Sequence, residues 1–335
     1  MKISICIPCY NSSAFLQRCL DSALAVDHRD KEIILIDDRS TDESRKVAKD
    51  YAGSIVYLEN EKNLGQPANT NRCLARATGD YVVILHSDDY LLPNFARTLA
   101  PLLDSNPKVA FAVGERKTAD AHGVEEDVTP FYSCDCTVPG IEQARVLMQT
   151  SFLPCQVLVR RTVLDKIGGI DERHVVNLDG LLWFKCALEG DVAYTRTPVG
   201  VYRIHDASTT ASYNQTSDHV LEYYETLKAM MKHTRGRPIL EQNIPVARKR
   251  VAEIALRYCR QAFAEKKYRV VREYIELARF FDPDIHKRHA YRVIEFCIGS
   301  NDIDPQLLFA RLADTLPSKR TESYPPPPGS RASTE

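Results

Sequence analysis

Short apolar runs alternate with stretches of helical spacing through the first third of the chain. "KISICIP" (2–8), "EIILIDD" (32–38), "SIVYLE" (54–59), "DYVVILH" (80–86) and "KVAFAVGE" (108–115) have strand length and are apolar almost throughout. Between them, 13–26, 40–52, 67–77 and 94–104 carry apolar residues every three to four positions, the period of a helix with one buried face. Ser40 with Glu43 three residues on has the form of a capping box, so the second helix is predicted to start there. Continuous apolar strands between amphipathic helices imply a mostly parallel α/β sheet with helices on both faces.

The pattern is irregular from 116 to 153. "CQVLVRR" (155–161) then reads as a strand, 179–190 as a helix, and "DVAYTR" and "PVGVYRI" as two paired strands. Beyond about 215 the chain turns helical. Val251, Ile254, Ala255, Tyr258 and Ala262 share one face, and 255–281 has the spacing of a helix pair. "SKRTESYPPPPGSRASTE" holds too few apolar residues for a core and predicts disorder. The expected division is an α/β domain over 1–212, a helical region over 213–316 and a disordered tail over 317–335.

Ligands of such sheets bind beyond the carboxyl ends of the strands. The chain places its polar residues there. Pro8, Tyr10 and Asn11 follow the first strand, Asp37 and Asp38 close the second, and His86, Ser87, Asp88 and Asp89 end the fourth. Each has a plain structural role available, as a helix cap or an Asx-turn. Two Asp-Asp pairs at corresponding strand ends ask for more, because adjacent carboxylates repel unless a cation or a donor balances them.

Composition narrows the class. The 335 residues carry a net charge of −1, which does not suit a nucleic-acid binder. No apolar run approaches the ~20 residues of a membrane span, and "MKISICIPCYN" is too quickly polar for a signal peptide, so a cytoplasmic protein is expected. The ten cysteines lie mostly within apolar patterns and read as buried thiols; "CDC" (134–136) lacks the second pair that a zinc site needs. Between 248 and 292, thirteen Lys/Arg face six Asp/Glu, a balance of +7. That suits peripheral contact with an anionic membrane, or simply a solvated helix face.

"SICIPCYNSSAFLQRCLDSAL", "EIILIDDRSTDES", "NLGQPANTNRCLARATGDYVVILHSDDYLLP", "IGGIDERHVVNLDGLLWFKCAL" and "YRIHDAST" occur in the order seen in family-2 glycosyltransferases, inverting enzymes of the GT-A fold. The resemblance covers roughly residues 2–212. It implies transfer of a sugar from a nucleotide-sugar donor, with UDP the leading nucleotide, to a carbohydrate or lipid-linked glycan acceptor, plausible in surface polysaccharide or glycolipid synthesis. It places the donor at Pro8, Tyr10, Asn11, Asp37, Asp38, Asn71, His86, Ser87, Asp88 and Arg203, and a Mn²⁺ or Mg²⁺ ion at Asp88, Asp89 and His205. A hard, oxygen-seeking ion suits carboxylate ligands and would offset charge growing on the departing diphosphate. The general base would be Asp179, with a helix cap as its plain alternative. Trp183, one turn on, either packs the core or walls the acceptor site.

The chain departs from the family pattern at four points. His86 replaces the first Asp of "DSDD", Arg39 a Gly of "DDGS", Thr70 an Arg that often meets the nucleotide, and Leu178 the acidic residue before the base. These keep open a second class, a degenerate nucleotide-sugar-binding module without transferase activity. A sugar nucleotidyltransferase would carry a Gly-rich basic loop after the first strand, and an aspartyl phosphatase a second Asp there; "PCYNSSAF" has neither.

Overall fold

The computed structural model describes residues 1–175, 177–208, 216–300, 304–312 and 322–333. It divides into two compact units, Met1–His205 with Glu322–Glu335, and Asp206–Thr321. The first closes seven residues earlier than the sequence pattern implied. It also takes back the chain's last stretch.

The first unit is built on one eleven-stranded sheet. Strands β1 (Ile3–Cys9), β2 (Lys31–Asp37), β3 (Val56–Glu59) and β4 (Tyr81–Ile84) run parallel, with β4 and β2 flanking β1. Helices α1 (Ser13–Ala25), α2 (Ser44–Asp50), α3 (Gln66–Arg76) and α4 (Phe95–Asp104) fill the connections. All seven residues of β1 are buried, as continuous apolar strands require when helices cover both faces. Ile3, Ile5 and Ile7 pack with Leu16 and Leu20 of α1 and with Phe95 and Leu99 of α4 in the main core.

Beyond β4 the sheet becomes mixed. β5 (Tyr90–Leu91), β6 (Val109–Ala119), β7 (Glu125–Asp127) and β8 (Cys136–Val138) are followed by α5 (Gly140–Leu147), and a 3-10 turn at Pro154–Gln156 leads into β9 (Val157–Arg160). β9 lies antiparallel between β4 and β6. After α6 (Arg161–Ile167) and α7 (Leu178–Ala187) comes β10 (Asp191–Arg203), parallel to β6. The two paired strands expected over this last stretch are therefore one strand. Register shifts around Pro198 break its hydrogen-bond ladder, because proline brings no amide to it.

Two further expectations are corrected. Helix α2 begins at Ser44, and Ser40 does not cap it; the Ser40 hydroxyl and amide both turn to Asp37. The tail is not disordered over 322–333, while 317–321 lie outside the described residues. The Tyr324 amide donates to the Phe131 carbonyl at 2.8 Å, its carbonyl accepts from Ser133 at 2.9 Å, and its ring meets Phe131. β11 (Arg331–Ala332) then pairs antiparallel with β8. Low apolar content predicts no core, but a tail needs only one aromatic anchor and an open sheet edge to pair with.

The second unit is helical: α8 (Asp218–Met231), α9 (Pro238–Glu241), α10 (Ile244–Ala264), α11 (Tyr268–Phe281), α12 (His289–Gly299) and α13 (Pro305–Leu312). Val251, Ile254, Ala255 and Ala262 of α10 are buried, as their spacing predicts. No helix among the described residues is long and apolar enough to cross a membrane.

Candidate active site

The ends of β1 and β2 are joined by hydrogen bonds that the sequence pattern did not reveal. Asn11, in left-handed conformation (φ 48°), gives its amide to Ser40 Oγ at 2.9 Å, and its Oδ1 accepts from the Thr41 amide at 2.8 Å. The Ser12 amide donates to Ser44 Oγ at 2.8 Å and the Ser13 amide to Asp42 Oδ2 at 2.9 Å. Arg39 is also left-handed, at φ 66°. Glycine adopts that conformation without the clash between Cβ and carbonyl, which explains why the "DDGS" pattern prefers it there.

These bonds shape a platform. Tyr10 stands at its rim, 48% exposed, while Pro8 is buried within β1. Asp37 is held by Ser40 and faces Arg45 Nε at 3.5 Å. Asp38 accepts from Asn60 Nδ2 at 2.6 Å and from the amides of Leu64 and Gly65, both at 2.8 Å. Both of its oxygens are thus engaged in fixing the loop that leads into α3.

The fourth strand delivers the charged centre. His86, Asp88 and Asp89 bring ligand atoms within 4.8 Å of one another. The Asp88 Oδ2 meets His205 Nε2 at 3.1 Å, and the His205 ring packs on Phe15 with centroids 4.4 Å apart. Burial works to raise the Asp88 carboxyl, but the His205 bond and the nearby His86 outweigh it and hold it below the usual range. Asp89 behaves oppositely. It is buried and accepts the Arg203 amide on Oδ1 at 2.9 Å, while its Oδ2 has no partner. Burial first, and Asp88 second, push its carboxyl well up. A cation beside this pair would favour the ionised form of Asp89 that burial disfavours. The buried, orphaned oxygen and the hard donor set both fit such an ion.

Asp179 reaches the same centre from α7. The cap position of that helix is Asn177, left-handed at φ 57°, so Asp179 lies inside the first turn and does not cap it. Its Oδ1 is buried and receives no hydrogen bond. Burial pushes the carboxyl up to about 6, against the pull of His86, and the Asp179 charge is felt at Asp89. The three carboxylates singled out from the sequence therefore share one electrostatic neighbourhood.

Some predicted contacts go elsewhere. Arg203 is 5% exposed; its Nε donates to the Asp88 carbonyl at 2.9 Å and its guanidinium lies over the Phe15 ring. It braces the Asp88–Asp89 turn. Asn71 spends its amide on Ile170 and Glu172, pinning the segment before α7. Thr70 back-bonds to the Gln66 carbonyl at 2.8 Å. His205 is the partner of Asp88, and His86 takes its place in the ligand-sized group. Trp183 is fully buried, donating to the Phe152 carbonyl at 3.0 Å, which makes it core. Sequence reasoning missed Ser12, which meets Ser87 at 2.6 Å, and Gln66, 3.3 Å from the His86 ring; neither stands in a pattern that marks it.

This sheet, with its acidic strand ends, has counterparts among known glycosyltransferases of the GT-A fold. The profile described as "Glycosyl transferase family 2" matches residues 4–167. The uncharacterized glycosyltransferase alr2836 of Nostoc sp. is 31% identical, over 63% of this chain and 67% of its own length. Staphylococcus aureus TarS 1-349, solved in complex with UDP, superposes with a TM-score of 0.60 at 17% identity, over 88% of this chain and 90% of that one. The mannosyltransferase PcManGT of Pyrobaculum calidifontis, solved with GDP-Man and Mn²⁺, gives 0.53 at 16% identity, over 93% and 86%. The chain belongs to glycosyl transferase family 2. It is a glycosyltransferase that takes its sugar from a nucleotide-sugar donor.

Proposed function

We propose that the chain is a metal-assisted, inverting glycosyltransferase that moves a hexose from a UDP-sugar to a hydroxyl of a surface glycan or lipid-linked glycan. The observation that carries this is the cluster of His86, Asp88 and Asp89, with Asp179 near enough for its charge to be felt at Asp89, and with a buried oxygen on both Asp89 and Asp179 that has no partner among the described residues. Such atoms are costly to bury and are kept where a ligand completes them. That TarS was solved with UDP and PcManGT with Mn²⁺ agrees with the reading.

Each residue has a task in the transfer. Tyr10 offers an exposed ring against the nucleotide base, beside the loops shaped by Asn11 and Asp38. Ser87, held by Ser12, lies next to the diphosphate. Asp88 and Asp89, with His86 beside them, would hold Mn²⁺ or Mg²⁺, which would offset the charge gathering on the leaving diphosphate. His205 keeps Asp88 ionised, and Arg203 keeps the turn in place. Asp179 takes the proton of the acceptor hydroxyl as that oxygen bonds to the anomeric carbon and the bond to the diphosphate breaks. A carboxyl near 6 is a stronger base than a free Asp, yet ionised at neutral pH.

The test is thermal unfolding with Mn²⁺ and a panel of nucleoside diphosphates, followed by NMR of the product anomer with UDP-sugars. A rise in midpoint specific to UDP and lost in Asp88→Ala and Asp89→Ala supports the donor site, and an inverted anomeric configuration supports the mechanism. A UDP-dependent rise with no transfer to any hydroxyl acceptor would favour a binding module.

A further inference from the structure

Three charged residues stand in a row near the end of β6, and they differ in how well their polar atoms are satisfied. Glu115 is buried and accepts from the Tyr194 hydroxyl and the Phe131 amide. Lys117 pairs with Glu125 at 3.3 Å and Asp127 at 3.7 Å. Arg116 meets no carboxylate among the described residues. Its Nη1 makes one long bond to Gln156 Oε1, at 3.4 Å, and its Nε is buried with no acceptor. A half-buried guanidinium left in this state costs free energy unless an anion arrives to complete it.

Sheet register locates this cation. Arg116 aligns with Gly200 of β10, and Gly200 aligns with Leu91 of β5, two residues past Asp89. Arg116 therefore sits two strands from Leu91, about 10 Å across at the usual strand spacing, and the Asp88–Asp89 turn lies two residues further along that strand. The intervening space is closed by the 3-10 turn that carries Gln156; the carbonyl of Cys155 would stand 2.2 Å from a Cβ at Gly200. The buried Cys155 thiol feels Asp89, Arg116 and Asp179 together, in keeping with that placement. The nucleotide platform at β1 and β2 lies on the other side of β4, whereas β6 and β10 lie beyond β9. In an inverting transfer the acceptor approaches from the face opposite the diphosphate. Arg116 thus lies across β4 from the nucleotide platform, on the side left for an acceptor.

We propose that Arg116 selects the acceptor by pairing with an anionic group, a phosphate or a carboxylate, carried near the attacking hydroxyl. The proposal deepens the transferase reading above and rests on it. Gln156 fixes one arm of the guanidinium and leaves the others free for the two-pronged contact that an oxyanion accepts. Its role is specificity; proton transfer remains with Asp179.

The experiment uses the full chain saturated with Mn²⁺ and UDP, and titrates glycerol 3-phosphate, methyl glucuronide and neutral methyl glucoside by calorimetry. Wild type is expected to prefer an anionic probe over the neutral one, and which anion wins tells phosphate from carboxylate. Arg116→Gln should lose that preference by about 10- to 100-fold, the worth of a charged hydrogen-bond pair. Arg116→Lys, which keeps the charge without the fork, should recover part of it, and carries the test alone if the Gln variant does not fold. UDP affinity should not change in either. Equal binding of charged and neutral probes by wild type, or a preference that survives in both variants, overturns the proposal. So does a loss of UDP affinity in the variants, which would assign the guanidinium to the donor. Failure of the donor reading shows separately, as no UDP binding by wild type; the same probes titrated without nucleotide then still decide whether Arg116 binds anions.

Discussion

Asp179→Asn should stabilise the metal-free protein while abolishing transfer. The buried carboxylate has an oxygen with no hydrogen-bond partner, and burial pushes its pKa from 3.8 to about 6. That rise corresponds to about 3 kcal/mol of unfavourable ionisation, as an upper figure. The sign follows from linkage. A folded pKa above the unfolded one means that the folded state binds the proton more tightly, so this group lowers stability increasingly as pH rises above 3.8 and by its full amount above about 6. The penalty shrinks between pH 6 and 3.8 and vanishes below. Asparagine keeps the shape and removes the charge. Urea unfolding with chelator present should therefore find the variant more stable by about 1–3 kcal/mol at pH 8, and by about half that at pH 5. A variant no more stable than wild type at pH 8, or a difference that does not change with pH, would refute the argument that Asp179 is held there at a cost to folding.

Other expectations follow from the same structure. The kcat/KM for transfer should rise with pH through a midpoint near 6, as Asp179 loses its proton, and level off above; a profile flat from pH 5 to 8 would remove Asp179 as the base. Arg39→Gly should stabilise by about 0.5–1 kcal/mol in urea unfolding, since relief at φ 66° outweighs an exposed ion pair with Glu59 that Arg45 also serves; destabilisation would show that the Glu59 contact dominates. Tyr324→Ala should cost about 1–2 kcal/mol by removing the ring that packs on Phe131, measured as a lower unfolding midpoint of the first unit. Trp183→Phe should lower the midpoint through lost core volume and leave KM for the acceptor unchanged; a raised KM would return Trp183 to the acceptor wall.

Much of the catalytic half was legible because its physics is periodic. Strands buried on both faces have to be continuously apolar, and β1, β2 and β4 are; their carboxyl ends then have to be where polar side chains gather. Asp88 and Asp89 could be picked out because adjacent carboxylates at a strand end need a balancing partner, whereas Asp179 was marked only by the family resemblance. What stayed hidden did so for more than one reason. The Asn71 side chain bonds Ile170 and Glu172, 99 and 101 positions away, and the Arg203 guanidinium bonds carbonyls 115 and 83 positions away, and no local spacing encodes such pairs. Ser40 has the right neighbours for a helix cap, yet its hydroxyl was claimed by a carboxylate three residues back. The tail was misread because composition measures whether a segment can build a core, not whether it can borrow an edge.

That borrowed edge bears on how the molecule is made. β8 and β11 are adjacent in the sheet, yet the whole helical unit is synthesised between them. A ribosome delivers residues in order, so the outer edge of β8, whose other edge pairs with β10, must stay open until β11 emerges. An exposed strand edge during that interval is an invitation to self-association. Fragments cut near 212 would keep the carboxylates and the nucleotide platform but leave that edge permanently open. They should express as aggregates or need the tail supplied as a separate peptide, whereas a circular permutant joining the tail ahead of β8 would finish the sheet during synthesis.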